Sequence, residues 1–303
     1  MRRALLAVTT YLRPEGLREA LAAVAAMRVP PGWSLDVVVI DNDEAGSGAA
    51  VAAAAGVRHV IEPRRGIPNV RNRACAEAAA AGCDWLVFLD DDEAPAADWF
   101  ERIDAAQRAT GADVTLGPSV PVFDSPPPSW VAEGGFFERR RFPTGTTVPF
   151  WFARTSGVLV RVGAYAHLGP EPFDADVVEG GEDRIFFAAI ADAGGTIVWA
   201  DDAVVRERVP ASRASFGWLV RRAYRTGNSR SVSLVRYERG GPWRRVKRVG
   251  RGVLDIGRGT AQAVVRRGTA ARVRGIQLAA NGAGLAAGAL GLRYNEYKRI
   301  HGS

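Results

Sequence analysis

Trp85-Leu86-Val87-Phe88-Leu89-Asp90-Asp91-Asp92 is the stretch on which the reading of this chain turns: five consecutive apolar residues run straight into three carboxylates. A short, uninterrupted apolar run bounded by polar residues reads as a strand buried on both faces. Three adjacent carboxylates at its end repel one another, so they are most comfortable beside a hard divalent cation, Mg²⁺ or Mn²⁺, that also bridges to substrate phosphates. A solvated acidic turn ahead of a helix near Pro95 is the plain alternative.

The same unit recurs on either side. Leu5 to Thr9, Leu35 to Ile40, Val57 to Ile61 and Asp113 to Leu116 are short runs bounded by turn signals, separated by helix-length segments near 15–28, 46–55, 69–81 and 97–109. This alternation predicts an α/β fold: a Rossmann-like, mostly parallel sheet flanked by helices. Ligands of open α/β sheets bind beyond the strand C-termini, where Thr10-Tyr11, Asp41-Asn42-Asp43 and the acidic triplet all fall. Gly46-Ser47-Gly48 follows the second strand and lacks the final glycine of a dinucleotide fingerprint.

From Pro118 to Pro149 the rhythm breaks into a proline-rich, aromatic segment containing Pro126-Pro127-Pro128, Phe136-Phe137 and Arg139-Arg140-Arg141, long enough to read as a binding loop or lid. Ser156 to Val162, Thr196 to Trp199 and Ala203 to Glu207 then read as strands, and Glu182 to Ala193 and Ser212 to Thr226 as helices.

A net charge of +7 over 303 residues invites a nucleic-acid partner, but the charge is uneven. Residues 244–274 hold ten Arg/Lys against one acid and residues 275–303 three against one, leaving residues 1–243 at −4. The basic character belongs to the tail, so nucleic-acid binding by the body is not expected. Cys75 and Cys83, eight apart on one predicted helix, supply neither a disulfide framework nor a metal cluster, which predicts a reducing, cytoplasmic setting. Ala4 to Val8 is too short an apolar run for a leader peptide, and none reaches the roughly 20 residues of a membrane span. His59, His167 and His301 are scattered and form no zinc site or triad.

Three further positions carry chemistry. Asp41 closes the run Val37 to Ile40, where a carboxylate accepts hydrogen bonds from a base or ribose, or simply closes a turn. Arg71 opens the helix before the acidic strand; a guanidinium there suits a diphosphate, or faces water. Gly180-Gly181-Glu182-Asp183 presents two acids at a helix start, as a cap favoured by the helix dipole or, for Asp183, as a general base for an attacking hydroxyl.

Taken in order, Val8-Thr9-Thr10-Tyr11, Ile40-Asp41-Asn42-Asp43, Arg65-Gly66-Ile67 with Arg71-Asn72, Leu89 to Asp92, Ser156-Gly157 and Gly181-Glu182-Asp183 resemble the family 2 glycosyltransferases of the GT-A fold over about residues 4–230. The resemblance implies that Tyr11, beside Thr10, packs on the nucleotide base and Asp41 hydrogen-bonds it, that Arg71 lies near the diphosphate, and that Asp90 and Asp91 serve the donor. It further implies that Asp92, with Asp90, holds the metal and that Asp183 is the base of an inverting enzyme. Asp41-Asn42-Asp43-Glu44 departs from the more usual Asp-Asp-Gly-Ser. Arg206-Glu207-Arg208 has no histidine where many members place a metal ligand, leaving Glu207 as its candidate substitute. Gly157, Glu182 and the basic helix carrying Arg222 and Arg225 fall in the acceptor or phosphate region.

The expected protein is thus a metal-dependent, inverting glycosyltransferase moving a sugar from a nucleotide diphosphate sugar to a hydroxyl of a glycan or lipid-linked acceptor. Residues 1–117 form its nucleotide-sugar half, 118–240 its acceptor half with the catalytic acid, and 241–303 a basic helical tail. A nucleotidyltransferase would want a glycine-rich phosphate loop after the first strand, and Thr10-Tyr11-Leu12-Arg13-Pro14 offers none. A non-catalytic basic adaptor for membrane or nucleic acid would explain the tail but not the acids of the body. In the tail Val246, Val249, Val253, Ile256 and Val264 share one helical side, with Arg244, Lys247, Arg248, Arg251 and Arg258 broadly opposite. That pattern predicts attachment to an anionic membrane surface, peripherally at the inner face of the plasma membrane. Glycines 250, 252, 257 and 259 weaken the helix; packing of the tail on the body, or an oligomer contact through it, is the alternative.

Overall fold

β1 (Arg2–Thr10) shows why the sheet forms, since Leu5 and Ala7 enter one hydrophobic core while Ala4, Leu6 and Val8 enter another. In β2 (Trp33–Asp41) and β4 (Trp85–Asp90) the same alternation sends Val38, Ile40, Leu86 and Phe88 to the first core and Val39, Val87 and Leu89 to the second. The computed structural model describes residues 1–177, 180–237 and 242–294; the start of the tail at Gly241 and residues 295–303, with His301, lie outside the described residues.

With β3 (Arg58–Ile61), β6 (Val114–Leu116), β8 (Val158–Arg161) and β9 (Ile197–Trp199), the main sheet has seven strands in the order β3-β2-β1-β4-β8-β6-β9. β8 alone runs antiparallel to its neighbours, so the sheet is mostly parallel, as the alternation predicts. The helices α1 (Pro14–Ala25), α2 (Ala49–Ala54), α3 (Ile67–Ala80) and α4 (Trp99–Thr110) form the crossovers. α5 (Ser129–Gly134), α6 (Val162–Tyr165) and α7 (Glu182–Asp192) follow.

The chain also builds a second sheet that the sequence does not announce. β5 (Glu93–Pro95), β7 (Ser119–Phe123) and β10 (Val205–Val209) pair in the order β5-β10-β7. β7 occupies part of the segment expected to be loop: Pro121 lacks a backbone donor, and an edge strand is where a sheet accommodates that. The register sets Glu207 opposite both Glu93 and Pro121, carrying a distant carboxylate to the end of β4.

Three long helices end the described chain: α8 (Phe216–Tyr237), α9 (Pro242–Val265) and α10 (Thr269–Ala289). α10 lies between the other two, and Arg274 Nη2 donates to the Gly134 carbonyl at 2.7 Å, tying it to α5. The glycines expected to weaken α9 do not break it. A Cβ on Gly252 would stand 2.5 Å from the Gly282 carbonyl, and one on Gly259 2.5 Å from that of Gly275, so these residues let two helix backbones touch.

Candidate active site

At the C-terminal ends of β2, β1 and β4, Thr10 pairs with Asp41 and Thr9 with Asp90. Over these ends lies a cavity of about 570 Å³. It gathers Thr10, Tyr11, Arg71 and the triplet Asp90 to Asp92 from the first half of the chain. From the second half it gathers Glu182, Asp183, Glu207, Arg222 and Arg225.

Two predicted residues lie elsewhere. Asp41 is fully buried beneath the cavity, where its oxygens accept from the Gly48 amide at 2.7 Å, the Asp43 amide at 3.0 Å and His59 Nε2 at 3.1 Å. It holds the turn after β2. Gly157 is also outside the lining; its φ of 52° and the 2.4 Å that a Cβ would leave to Val205 Cγ2 make it a backbone crossing point. Its neighbour Ser156 faces the cavity and donates to Glu93.

The acidic wall is four carboxylates deep. Asp90 accepts from Thr9 Oγ1 at 2.8 Å, and Asp91 from Thr10 Oγ1 at 2.8 Å and Arg13 Nη1 at 3.1 Å. Asp92 is more open than Asp91, with Arg213 at 3.3 Å and Arg13 at 3.5 Å. Burial raises the Asp90 carboxyl above the usual range, against the pull of Arg71, and pushes Asp91 up to about 6. Burial and the neighbouring Asp90 raise Glu93 well above the usual carboxylate range. Burial works the same way on Glu207, but Arg139 at 2.8 Å and Ser119 at 2.7 Å hold it below the usual range.

This donor set fits a hard cation, because crowded carboxylates that resist ionisation are relieved by positive charge. Among the described residues no three acidic, histidine or cysteine side chains form a ready-made cage. Mg²⁺ at nucleotide sites needs only one or two carboxylates, with phosphate oxygens and water completing the shell. Asp92 and Asp90 suit that role better than Glu207, whose oxygen is engaged by Ser119 and Arg139.

Opposite, Gly181 with φ 94° turns the chain into α7 and delivers Glu182 and Asp183 to the cavity. Glu182 pairs with Arg71, so two residues from separate motifs neutralise each other at depth; Asp183 Oδ1 accepts from the Arg184 amide at 2.7 Å. Tyr11 carries the Arg65 guanidinium 3.8 Å from its ring centroid, an arrangement that can stack a planar base. Arg13, Glu93, Arg154, Arg213 and Trp218 also line the cavity and were not singled out by the sequence, while Arg139 comes from the arginine run of the segment read as a binding loop or lid. Glu93 extends the acidic run directly, the one signal of the set that was legible.

Residues 6–165 match the profile described as glycosyl transferase family 2. The succinoglycan biosynthesis protein ExoM of Rhizobium meliloti (strain 1021) is 36% identical over 236 residues, covering 73% of this chain and 72% of that protein. Among solved structures, the mannosyltransferase PcManGT of Pyrobaculum calidifontis, in complex with GDP-Man and Mn²⁺, superimposes with a TM-score of 0.63 at 19% identity, covering 95% of this chain and 87% of the other. S. aureus TarS 1–349 does so with a TM-score of 0.53 at 13% identity, covering 93% and 90%. The fold is therefore shared with glycosyltransferases, and the matched segment carries β1 and β4, whose ends build the cavity. The chain belongs to glycosyl transferase family 2 and is a glycosyltransferase.

Proposed function

We propose that the protein transfers a sugar from a nucleotide diphosphate sugar to a hydroxyl of a glycan or lipid-linked acceptor, with inversion at the anomeric carbon. One observation carries the reading: a single cavity sets Asp183 of α7 together with the acidic triplet at the end of β4. Tyr11 and Arg65 would stack the base, Thr10 and Asp91 would line the ribose, and Arg71 would face the diphosphate. Asp183 takes the proton of the acceptor hydroxyl while that oxygen attacks the anomeric carbon from the side opposite the diphosphate. Asp92 and Asp90 would hold Mg²⁺ or Mn²⁺, which when bound supplies positive charge against the charge developing on the leaving diphosphate. The likeness to ExoM, a succinoglycan biosynthesis protein, supports a growing exopolysaccharide as acceptor.

None of the described helices is long and apolar enough to cross a membrane. α9 nevertheless turns Trp243, Val246, Val253 and Val264 outward among its arginines, which supports peripheral attachment to an anionic inner membrane face, where a lipid-linked acceptor would be met.

Thermal stabilisation by nucleoside diphosphates, with and without Mg²⁺ or Mn²⁺, tests the donor half of the reading. Stabilisation that depends on the cation and is lost in Asp92→Ala is the expected result. No stabilisation by any nucleoside diphosphate would remove it.

A further inference from the structure

The arginines of the cavity divide into two sets. Those beside the nucleotide elements are answered: Arg13 and Arg213 by the acidic triplet, Arg71 by Glu182 and Arg65 by the Tyr11 ring. On the other wall Arg139, from the proline-rich segment, pairs with Glu207 at 2.8 Å. Arg154 and Arg222 feel that same carboxylate from further away, and among the described residues neither forms an ion pair within 4.0 Å. Arg222 rests instead on the rings of Trp218 and Phe137, at 5.2 and 5.5 Å from their centroids.

Arg139, Arg154 and Arg222 thus crowd around Glu207 in a recess beside Asp183, which attracts Arg154 as well, followed by Glu93, while Arg225 and Arg213 add to the repulsion on Arg222. Burial, then the repulsion of Arg139, brings both Arg154 and Arg222 down to about 10. Holding half-buried cations without an ion pair is unfavourable, and the arrangement is relieved by an anionic ligand. Planar guanidinium forks match phosphate oxygens. On the donor assignment made above, a cation held by the acidic triplet would meet the donor diphosphate, whereas a neutral sugar would leave this wall unanswered.

We propose that Arg139, Arg154 and Arg222 form a second anion subsite, on the acceptor side of the cavity, that receives a phosphate or diphosphate group carried by the acceptor. The inference rests on the donor assignment made above. It makes the acceptor an anionic glycan or a lipid diphosphate rather than a neutral sugar chain.

The test is a calorimetric titration of inorganic diphosphate, and separately of farnesyl diphosphate, into the full chain already saturated with UDP or GDP, whichever stabilises it, and Mg²⁺. Both should bind the saturated protein at one site. Arg154→Met and Arg222→Met should each weaken that binding at least tenfold while changing nucleoside diphosphate affinity less than twofold. Arg154→Lys, which keeps the charge but loses the fork, should fall between. Ligand-free Arg154→Met should melt no lower than the parent, since it removes a half-buried cation that forms no ion pair, so a folding defect cannot imitate the result. Tighter binding of farnesyl diphosphate identifies a lipid-linked source; equal binding identifies a phosphate on the glycan. Competition between inorganic and nucleoside diphosphate, or an equal loss of nucleoside diphosphate binding in the variants, would assign the cluster to the donor and overturn the proposal, as would no binding of either probe. Failure of UDP and GDP to bind at all would instead bring down the donor assignment itself.

Discussion

The α/β body and the C-terminal helices are held together by opposite devices. In the body large side chains interlock, with Trp33 against Phe100 at 4.9 Å between centroids and Phe173 stacked on Phe186 at 4.2 Å. Between α8, α10 and α9 the backbones themselves meet, through Gly284 against Tyr224, Gly252 against Gly282 and Gly259 against Gly275. Packing by side chains writes its buried face in apolar periodicity. Packing by backbone writes it in glycine, and leaves the apolar residues of α9 facing outward.

The first way to sharpen the contrast is to disable the body's chemistry without touching its packing. Asp183→Asn keeps the shape at the start of α7 but cannot accept a proton, so turnover should fall by about 10²–10⁴-fold. Nucleoside diphosphate affinity and the melting curve should hold, because the hydrogen bond that Asp183 accepts comes from its own neighbour's amide. A folded variant with near-normal turnover would leave Asp183 as a cap and no more.

Gly284→Val attacks the other device. Its Cβ would fall 1.9 Å from the Tyr224 carbonyl, and backbone cannot yield as a side-chain tip does, so α10 should part from α8 at a cost of about 3 kcal/mol or more. Hydrogen exchange should show α9 and α10 losing protection while β1 and β4 keep theirs. Uniform loss across the chain would mean that the two regions fold as one unit.

This difference also explains what was legible in the sequence. β1, β2, β4 and their crossovers were readable because short uninterrupted apolar runs such as Val37 to Ile40 and Trp85 to Leu89, bounded by turn signals, mark strands buried on both faces. The acidic triplet, Thr10-Tyr11 and Asp183 were readable because strand ends and helix starts are marked by local signals. β7 was not, because Pro121 argues against a strand wherever its edge position is unknown. Arg139, Arg154 and Glu207 come together only through the second sheet and the segment before β8, a tertiary meeting with no local signature. Asp41 misled for a related reason: a carboxylate at a strand end looks the same whether it faces a ligand or, as here, the amides of its own turn.

The acidic wall predicts a pH dependence that the glycine-packed helices lack. Asp91 holds its proton to about 6 in the folded state, against an ordinary value of 3.8. A carboxyl that binds its proton more tightly folded than unfolded favours the fold while protonated; that contribution is complete below the unfolded value and is lost as pH rises through the folded one. Stability of the ligand-free protein should therefore decline from pH 4 to pH 7, by up to roughly 3 kcal/mol for this group. Asp91→Asn should flatten the decline in denaturant titrations. An unchanged slope would place the raised carboxyl elsewhere in the wall.

The smallest effect tests what the outward face of α9 is for. Gly252, Asp255 and Gly259 form its buried side, while Val253 and Val264 remain 60% and 74% exposed and Trp243 66%. Removing the whole tail would strip α10 from α8 as well, so point changes on the outer face are the cleaner probe. Val253→Glu with Val264→Glu takes apolar area from the exposed stripe and, if that stripe meets a membrane, sets negative charge against anionic lipid. Each buried valine contributes on the order of 1 kcal/mol to such partitioning, so binding to anionic vesicles should fall about tenfold or more. Because both positions are exposed in the folded chain, stability should change by no more than about 0.5 kcal/mol. Binding by the parent should weaken with added salt, as expected for arginines flanking the stripe. If the parent fails to sediment with anionic vesicles, or the double variant sediments equally, the apolar face of α9 serves another contact.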